Sequence, residues 1–197
     1  MSALDDRPAR APDRAAMEAA LEAFLLACGA QLDRETRETP ARVARSWAED
    51  FLDGYAKDPV DVLRSSLVPA PRPGELVIAS LLEFHSMCPH HLLPYKGMAA
   101  VGYVAEAHLV GFGKIAEAVN TLGHRLILQE ELVHRMCDAV DAALAPRGVG
   151  VVITAEHGCM QVRGAQQRRS KITVEAWSGV FERDAELRAT LARRAEE

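Results

Sequence analysis

Apolar residues recur at three- and four-residue spacing in the first part of the chain, which predicts amphipathic helices. The first helix is expected to start near Asp13 and to end before Gly29, a residue suited to the left-handed conformation after a helix. Its apolar stripe consists of Met17, Leu21, Phe24, Leu25 and Cys28. A loose tail at residues 1–12, which has no apolar period, precedes it.

A second helix is predicted to open with Thr39 as its cap and Pro40 in its first turn. Val43, Trp47 and Phe51 form its apolar stripe. Arg42 and Arg45 flank this stripe, and spacing alone favours an outward, solubilising role for them over contact with an anion.

A cluster of three prolines and a glycine at residues 69–74 separates this helical portion from a strand-rich remainder. Beyond it, alternating or continuous apolar runs predict strands at 76–87, 98–105, 148–156 and 172–180. Helical spacing predicts helices at 114–122 and 129–144, and a charged helix from about residue 184.

This order of elements predicts an α+β fold, in which a four-stranded antiparallel sheet carries two helices on one face. The apolar runs at 76–78 and 149–153 leave few polar alternations, so we expect the second sheet face to be buried as well, through self-association. The domain organisation is predicted as a tail at 1–12, a helical region at 13–73 and the sheet domain at 74–197.

Composition narrows the class of protein. The 197 residues are 49% hydrophobic and 26% charged, and the net charge of -5 shows no bias toward nucleic acid. The start resembles no secretion signal and no apolar run is long enough to span a membrane, so we expect a cytoplasmic protein with reduced thiols.

Two of the four cysteines have histidines beside them. Cys88 and His91 form a Cys-x-x-His pair, a spacing that lets one turn aim two ligands at a zinc ion. A third ligand from His157 or Cys159 would leave one coordination position open, as in catalytic zinc sites. Cys28 and Cys137 lie in helical patterns without such neighbours, and we interpret both as core residues.

These segments resemble the GTP cyclohydrolase I family over nearly the whole chain apart from the tail. The resemblance is carried by residues 38–44, 86–94, 129–130, 148–160, 163–164 and 179–181. It implies the tunnelling fold, assembled into a toroidal homodecamer with sites between subunits. It also implies hydrolysis of the purine ring of GTP at C8, which releases formate and forms 7,8-dihydroneopterin triphosphate.

The resemblance also implies a role for each matching residue. Cys88, His91 and Cys159 would bind zinc, while His90 and His157 would transfer protons. Alternatively, His90 is structural, or His157 replaces His91 as a ligand. Substrate contacts are implied for a larger set: Glu130 and Gln129 at the guanine, Lys114 and Arg163 at the ribose and triphosphate, and Arg42 and Arg45 from an adjacent subunit.

Three positions depart from the family pattern. Gly113 stands where serine is usual, and Glu117 and Glu131 stand where basic residues are usual. Two negative charges near a triphosphate would oppose its docking. The alternatives are therefore the same zinc hydrolase chemistry on a purine nucleotide or nucleoside with fewer phosphates, or a noncatalytic ring scaffold containing zinc.

Overall fold

The computed structural model describes residues 11–196, so nearly all of the predicted tail at 1–12 lies outside the described residues. The helices are Arg14–Ala27 (α1), Thr39–Ser46 (α2), Pro59–Arg64 (α3), Phe112–Gly123 (α4), Gln129–Leu144 (α5), Gly158–Gln161 (α6), Val180–Arg183 (α7) and Ala185–Glu196 (α8). The strands are Leu67–Pro69 (β1), Leu76–Met87 (β2), Pro94–Val104 (β3), His108–Val110 (β4), Gly148–His157 (β5) and Ile172–Trp177 (β6). A π-helical turn, Trp47–Phe51, and a 3₁₀ turn, Asp53–Ala56, follow α2.

The larger sheet has four antiparallel strands in the order β2-β3-β5-β6, and β1 pairs with β4 in a small separate sheet. This architecture agrees with the predicted α+β class and antiparallel sheet. The register sets Met87 opposite Pro94 and Tyr95 opposite His157. The end of β2, the start of β3 and the end of β5 therefore meet at one corner of the sheet.

Helices α4 and α5 cover one face of this sheet, where α4 contacts β2 and α5 contacts β5 and β6. Alternate residues of β3 point into this main core, and each is at most 1% exposed: Tyr95, Ala99, Val101 and Tyr103. Their β3 neighbours Ala100 and Val104 are buried on the opposite face. The sheet thus has apolar residues on both faces, as its continuous apolar runs predict.

The second face is partly covered by the chain itself, through α8, which packs on β2, β3 and β5. Leu191 is fully buried there with Val152 and Phe181. A Cβ on Gly150 would lie 2.7 Å from Leu191 Cδ2, so this close packing requires a glycine. The predicted burial of this face is therefore provided in part by the chain itself, because the last helix folds back across it, and burial through self-association stays a prediction.

The same face also carries a cleft of about 790 Å³, lined by both charged and apolar residues, which we call the polar cleft after its charged side chains. Its lining includes Glu83, Lys96, Glu156 and Lys171 beside Met98, which is 36% exposed. No helix within residues 11–196 combines the length and apolar character needed to cross a bilayer.

Several predicted boundaries differ from the observed ones. Strand β3 begins at Pro94, earlier than the predicted 98, because Pro94 already pairs with β2 and the residues from Tyr95 onward pair with both β2 and β5. Strand β6 ends at Trp177, before the predicted 180, because Gly179 has a φ of 58° and turns the chain into α7. Thr39 is the first helical residue of α2 and Glu38 is its cap, with no side-chain capping bond.

The two cysteines outside the candidate metal site differ in their surroundings. Cys137 is buried, as predicted, and burial raises the pKa of its thiol to about 11. The prediction for Cys28 was wrong, because that side chain is exposed. Helix α1 packs against α2 and has no buried residue, so its apolar stripe lies outside the core.

Gly54 and Arg125 join the N-terminal region to the sheet domain. A Cβ on Gly54 would lie 2.2 Å from the carbonyl oxygen of Thr121, so this backbone crosses α4 at a distance that only glycine permits. The Arg125 side chain is buried and donates to the carbonyls of Gly54 at 3.1 Å and Lys57 at 3.0 Å. The segment at 54–57 is therefore fixed on the domain that carries the candidate site.

Candidate functional site

The turn between β2 and β3 presents the Cys-x-x-His pair. Cys88 is buried directly after β2, and its backbone closes the turn by two hydrogen bonds, one from Cys88 N to Leu93 O at 3.0 Å and one from Leu92 N to Cys88 O at 2.9 Å. Leu92 adopts a left-handed φ of 52° within this turn. The closed turn leaves His91 exposed while the Cys88 thiol points inward.

Cys159 reaches the same place from the end of β5. It lies in the short helix α6, and the pairing of Tyr95 with His157 aligns this segment with the turn after β2. The ligand atoms of Cys88, His91 and Cys159 lie within 4.8 Å of one another. We call these three residues the metal group.

The donor atoms of the metal group suit zinc. Sulfur and nitrogen ligands at about 2.0–2.3 Å from a tetrahedral ion lie roughly 3.5–4 Å apart, so only a small closure of the group is needed. Burial raises the pKa of the Cys159 thiol, and the nearby Cys88 raises it further. A bound dication would reverse this preference, because it stabilises thiolates. Three ligands leave a fourth position for water or substrate.

His157 is held beside the metal group by Gln129 and Tyr95. Gln129 is 1% exposed, and its Nε2 donates to the carbonyls of Ile153 at 2.8 Å and Ile172 at 2.9 Å. Its Oε1 therefore faces His157 Nε2, at 2.7 Å, and must accept a hydrogen bond from it. The Nε2 atom of His157 accordingly carries a proton, and Nδ1 is the ring nitrogen left to exchange one.

The Tyr95 ring stacks on His157 with 4.9 Å between centroids and 5° between planes. The Tyr95 hydroxyl donates to Ile127 O at 3.0 Å, and burial raises its pKa, so it remains protonated. Burial also lowers the pKa of His157, while the nearby Glu130 carboxylate opposes this effect. The imidazole is thus fixed in orientation and favours its neutral form.

His90 and Glu130 lie at the surface beside these residues. His90 is exposed in the turn, with its ring centroid 6.3 Å from that of His91. Glu130 is exposed in the first turn of α5. Both side chains can therefore meet a ligand that approaches from outside the chain.

Lys114, Glu117 and Lys57 form one cluster on and beside α4, which we call the lysine clamp. The Glu117 carboxylate accepts from Lys114 Nζ at 2.7 Å and from Lys57 Nζ at 3.1 Å. Hydrogen bonds from the two lysines lower the pKa of Glu117, so this side chain is ionised at neutral pH. Its charge is balanced within the clamp, which leaves a net single positive charge.

The other two departures from the family pattern have simple surroundings. A Cβ on Gly113 would meet nothing within 4 Å, so packing does not explain the glycine. Glu131 accepts from Arg135 Nε at 3.0 Å, one turn along α5, and its charge is paired there.

The predicted arginines lie in different places. Arg163 is exposed after α6, close enough to Cys159 that its charge partly opposes the rise in the pKa of that thiol caused by burial. Arg42 pairs with Glu38 on α2, and Arg45 is exposed on the same helix. Helix α2 packs mainly against α1 and the following π-helical turn.

A cavity of about 350 Å³ lies beside the lysine clamp. Lys57 and Glu117 line it, and Asp53 and His124 form a 2.7 Å pair in its wall. Neither this cavity nor the polar cleft is lined by a member of the metal group. Within the metal group, Cys88 is buried, Cys159 is half-buried and His91 is exposed, as is the adjacent His90.

Sequence reasoning missed Tyr95, Lys57 and the role of Gln129 toward His157. The strand register was the signal for Tyr95, since pairing β3 with β5 from Tyr95 onward sets it opposite His157. Lys57 gave no local signal, because its partner Glu117 is remote in sequence and the contact depends on how the 3₁₀ turn packs on α4.

Comparison with known proteins gives one consistent family. The model of the family described as GTP cyclohydrolase I matches residues 17–196. The GTP cyclohydrolase 1 of Deinococcus radiodurans is 38% identical over 167 residues, covering 84% of this chain and 76% of that protein. The protein of the same name from Brucella anthropi is 37% identical over 187 residues, covering 93% of this chain and 87% of its own length.

A third relative, the GTP cyclohydrolase 1 of Wolinella succinogenes, is 36% identical over 151 residues, covering 77% of this chain and 80% of that protein. Among solved structures, an archaeosine synthase QueF-Like in the apo form has a TM-score of 0.45 and 23% identity. It covers 55% of this chain and 96% of that one, a likeness too distant to carry a functional argument.

Proposed function

Since this chain belongs to the GTP cyclohydrolase I family of hydrolases, we propose that it opens the purine ring of GTP at C8, releasing formate and forming 7,8-dihydroneopterin triphosphate. The observation that carries the proposal is the convergence of Cys88, His91 and Cys159 beside the oriented His157. A structural metal would need neither an open ligand position nor an imidazole held in one tautomer beside it.

We assign the metal group to zinc on the chemistry of its two thiols and one imidazole. When bound, a zinc ion with an open position lowers the pKa of water to near neutrality and polarises the atom under attack. The protein supplies the ligand geometry through two strand ends, and burial of Cys88 keeps that thiol from solvent.

Opening the purine ring requires that ring nitrogens receive protons as their bonds to C8 break. His157 suits this step, because Gln129 occupies Nε2 and leaves Nδ1 to take up and return a proton. His90 is the second proton carrier, exposed where a bound substrate would contact it. Gln129 then acts through His157, since its amide hydrogens are already donated to two backbone carbonyls.

Substrate contacts follow the charges around the site. Glu130 can accept hydrogen bonds from the ring N–H and exocyclic amine of guanine, a two-donor edge. Lys114 and Arg163 would bind the phosphates and ribose of the same nucleotide. Arg42 and Arg45 would complete the phosphate contacts from an adjacent subunit, as the family resemblance implies, and both side chains are exposed on α2.

The assembly we propose is the toroidal homodecamer of the tunnelling fold, with each site between subunits. Its support in this chain is the exposure of His90, His91 and Glu130, which a neighbouring subunit would cover. Strands β2 and β6 form the two edges of the larger sheet, and these edges could pair with further copies.

Two alternatives remain as hypotheses. The same chemistry on a guanine nucleotide with fewer phosphates is favoured by one observation, the pairing of Lys114 with Glu117. A noncatalytic zinc ring scaffold would give no reason for the hydrogen bond between Gln129 and His157.

The test is to incubate the zinc-loaded protein with GTP and to measure formate together with the fluorescence of the oxidised pterin. We expect both products, and loss of about 10²- to 10⁴-fold in turnover for His90→Ala and His157→Ala with zinc retained. His108→Ala, at the exposed first residue of β4, is the matched control. If the wild-type protein releases no formate from GTP, the proposed function is wrong.

A further inference from the structure

We propose that Glu117 is a specificity-determining residue, which limits the preference of this site for a triphosphate over a monophosphate by holding Lys114 in the lysine clamp. The inference rests on the proposed function, in which Lys114 faces the phosphates of a guanine nucleotide. It extends that function to the substrate class, namely guanine nucleotides in which added phosphates gain little affinity.

The geometry of the clamp makes Glu117 the shared partner of both lysines. Its Oε2 lies 2.7 Å from Lys114 Nζ and its Oε1 lies 3.1 Å from Lys57 Nζ. Lys114 and Glu117 are three residues apart in α4, so the helix itself keeps them adjacent. A phosphate that approaches Lys114 must share this ammonium group with a carboxylate already in contact with it.

Lys57 is not a loosely tethered partner. Arg125 is 3% exposed and holds the Lys57 carbonyl at 3.0 Å, which fixes the backbone from which this lysine extends. On the other side, Asp58 caps α3 by accepting from Val60 N at 2.8 Å. Because its backbone is fixed on both sides, Lys57 orients Glu117 while Glu117 in turn engages Lys114.

The charges decide the direction of the effect. Two lysines and one carboxylate give the clamp a net charge of about +1, where two unpaired lysines would give +2. Each added phosphate brings further negative charge close to Glu117, so the carboxylate opposes the β- and γ-phosphates more than the α-phosphate. Glu117 therefore reduces the affinity gained from each additional phosphate.

The experiment measures binding of GTP, GDP, GMP and inorganic tripolyphosphate by calorimetry to the full-length, zinc-loaded protein. For Glu117→Gln, which keeps the shape and removes the charge, we expect GTP and tripolyphosphate to bind roughly tenfold more tightly and GMP to change less than about twofold. For Lys57→Met, which leaves Glu117 to Lys114 alone, we expect GTP binding to weaken severalfold.

The matched control is Glu106→Gln, which makes the same charge change in another exposed ion pair. Glu106 pairs with Arg147 just beyond the end of β3, opposite the end that adjoins the metal group. We expect this variant to leave the ratio of GTP to GMP affinity within about twofold of wild type. An equal shift in both glutamine variants would reduce the effect to net charge and overturn the proposal.

The two proposals fail in different ways. If the wild-type protein releases no formate but Glu117→Gln raises the ratio of GTP to GMP affinity, the hydrolytic function fails and the role of Glu117 stands. If formate is released but that ratio is unchanged by Glu117→Gln, the role of Glu117 is wrong and the function stands. Absence of binding by all four probes in every variant overturns both.

Discussion

The candidate site has two ends that are built in different ways. The metal end comprises the metal group with His90 and His157. What we call the phosphate end, after its proposed role, comprises the lysine clamp and Arg163. At the metal end, backbone pairing of three strands sets the geometry, and the buried Gln129 fixes an imidazole. At the phosphate end, long side chains that are 33–51% exposed in the clamp hold one another through ion pairs.

This difference indicates which substitutions each end can accept without loss of activity or of the fold. A change of backbone or buried polar group at the metal end displaces reactive atoms, and small displacements in such sites have large effects on rate. An exposed ion pair is worth little to stability, so the phosphate end can exchange charges without loss of the fold. The departures Glu117 and Glu131 both carry charges that are paired within the chain.

The largest expected effect tests the metal end directly. Cys159→Ala removes one of the two thiols, so we expect zinc loss and turnover below about one thousandth of wild type for every guanine nucleotide. Metal content is measured by mass spectrometry and turnover by formate release. Cys28→Ala, at an exposed cysteine on the N-terminal side, is the control and should change neither. If Cys159→Ala retains both zinc and activity, the assignment of the metal group as the zinc ligands of the active site is wrong.

A smaller effect tests whether the metal end depends on an oriented imidazole. Gln129→Met breaks the hydrogen bond to His157 and removes the hydrogen bonds that the amide donates to the carbonyls of Ile153 and Ile172. We expect kcat to fall about 10- to 100-fold with KM and zinc content little changed. Loss of the two bonds to the carbonyls should also lower the free energy of unfolding by about 1–3 kcal/mol.

Gln167→Met, in the exposed loop after α6, is the control for this prediction, because its amide donates only to a nearby carbonyl of that loop. Unfolding by urea separates the loss of stability from the loss of turnover. If kcat falls only as far as the folded fraction falls, Gln129 has no role beyond packing.

The smallest effect is expected at Arg163, a proposed phosphate contact near Cys159. Its charge reaches the Cys159 thiol, yet its side chain is exposed and matches a phosphate contact. We expect Arg163→Ala to raise KM for GTP about tenfold and KM for GMP less, with kcat within about threefold. Arg168→Ala, in the same loop, is the control. If kcat instead falls equally for GTP and GMP, Arg163 acts on the chemistry at the metal group and not on phosphate binding.

Sequence reasoning anticipated the metal end better than the phosphate end. The Cys-x-x-His spacing and the second cysteine beside His157 are local signals, and the antiparallel order of strands brings them together. The resemblance to the family already implied His91 as the third ligand, and His91 lies with the two cysteines in the structure. The orientation of His157 could not be predicted, because it depends on Gln129, whose bonds link α5 to two strands.

The phosphate end could not be derived in the same way. Glu117 was interpreted as a charge that opposes an anion, and its pairing with Lys57 depends on the packing of Gly54 against α4. The cover of the second sheet face was also missed, because an alternating charged helix such as α8 shows little of the apolar stripe that packs on the sheet. Leu187 and Leu191 suffice there, since Gly150 gives them room.

The Gln129 amide has a consequence for how the protein loses activity. It joins β5 and β6 through the carbonyls of Ile153 and Ile172 and holds His157 with its remaining atom. β6 is an outer strand, and fraying of its first residue would release one of these bonds and free the amide to rotate. A molecule in which the start of β6 has frayed would lose catalytic activity while most of its core remained folded. On heating, we therefore expect loss of activity at a lower temperature than global unfolding.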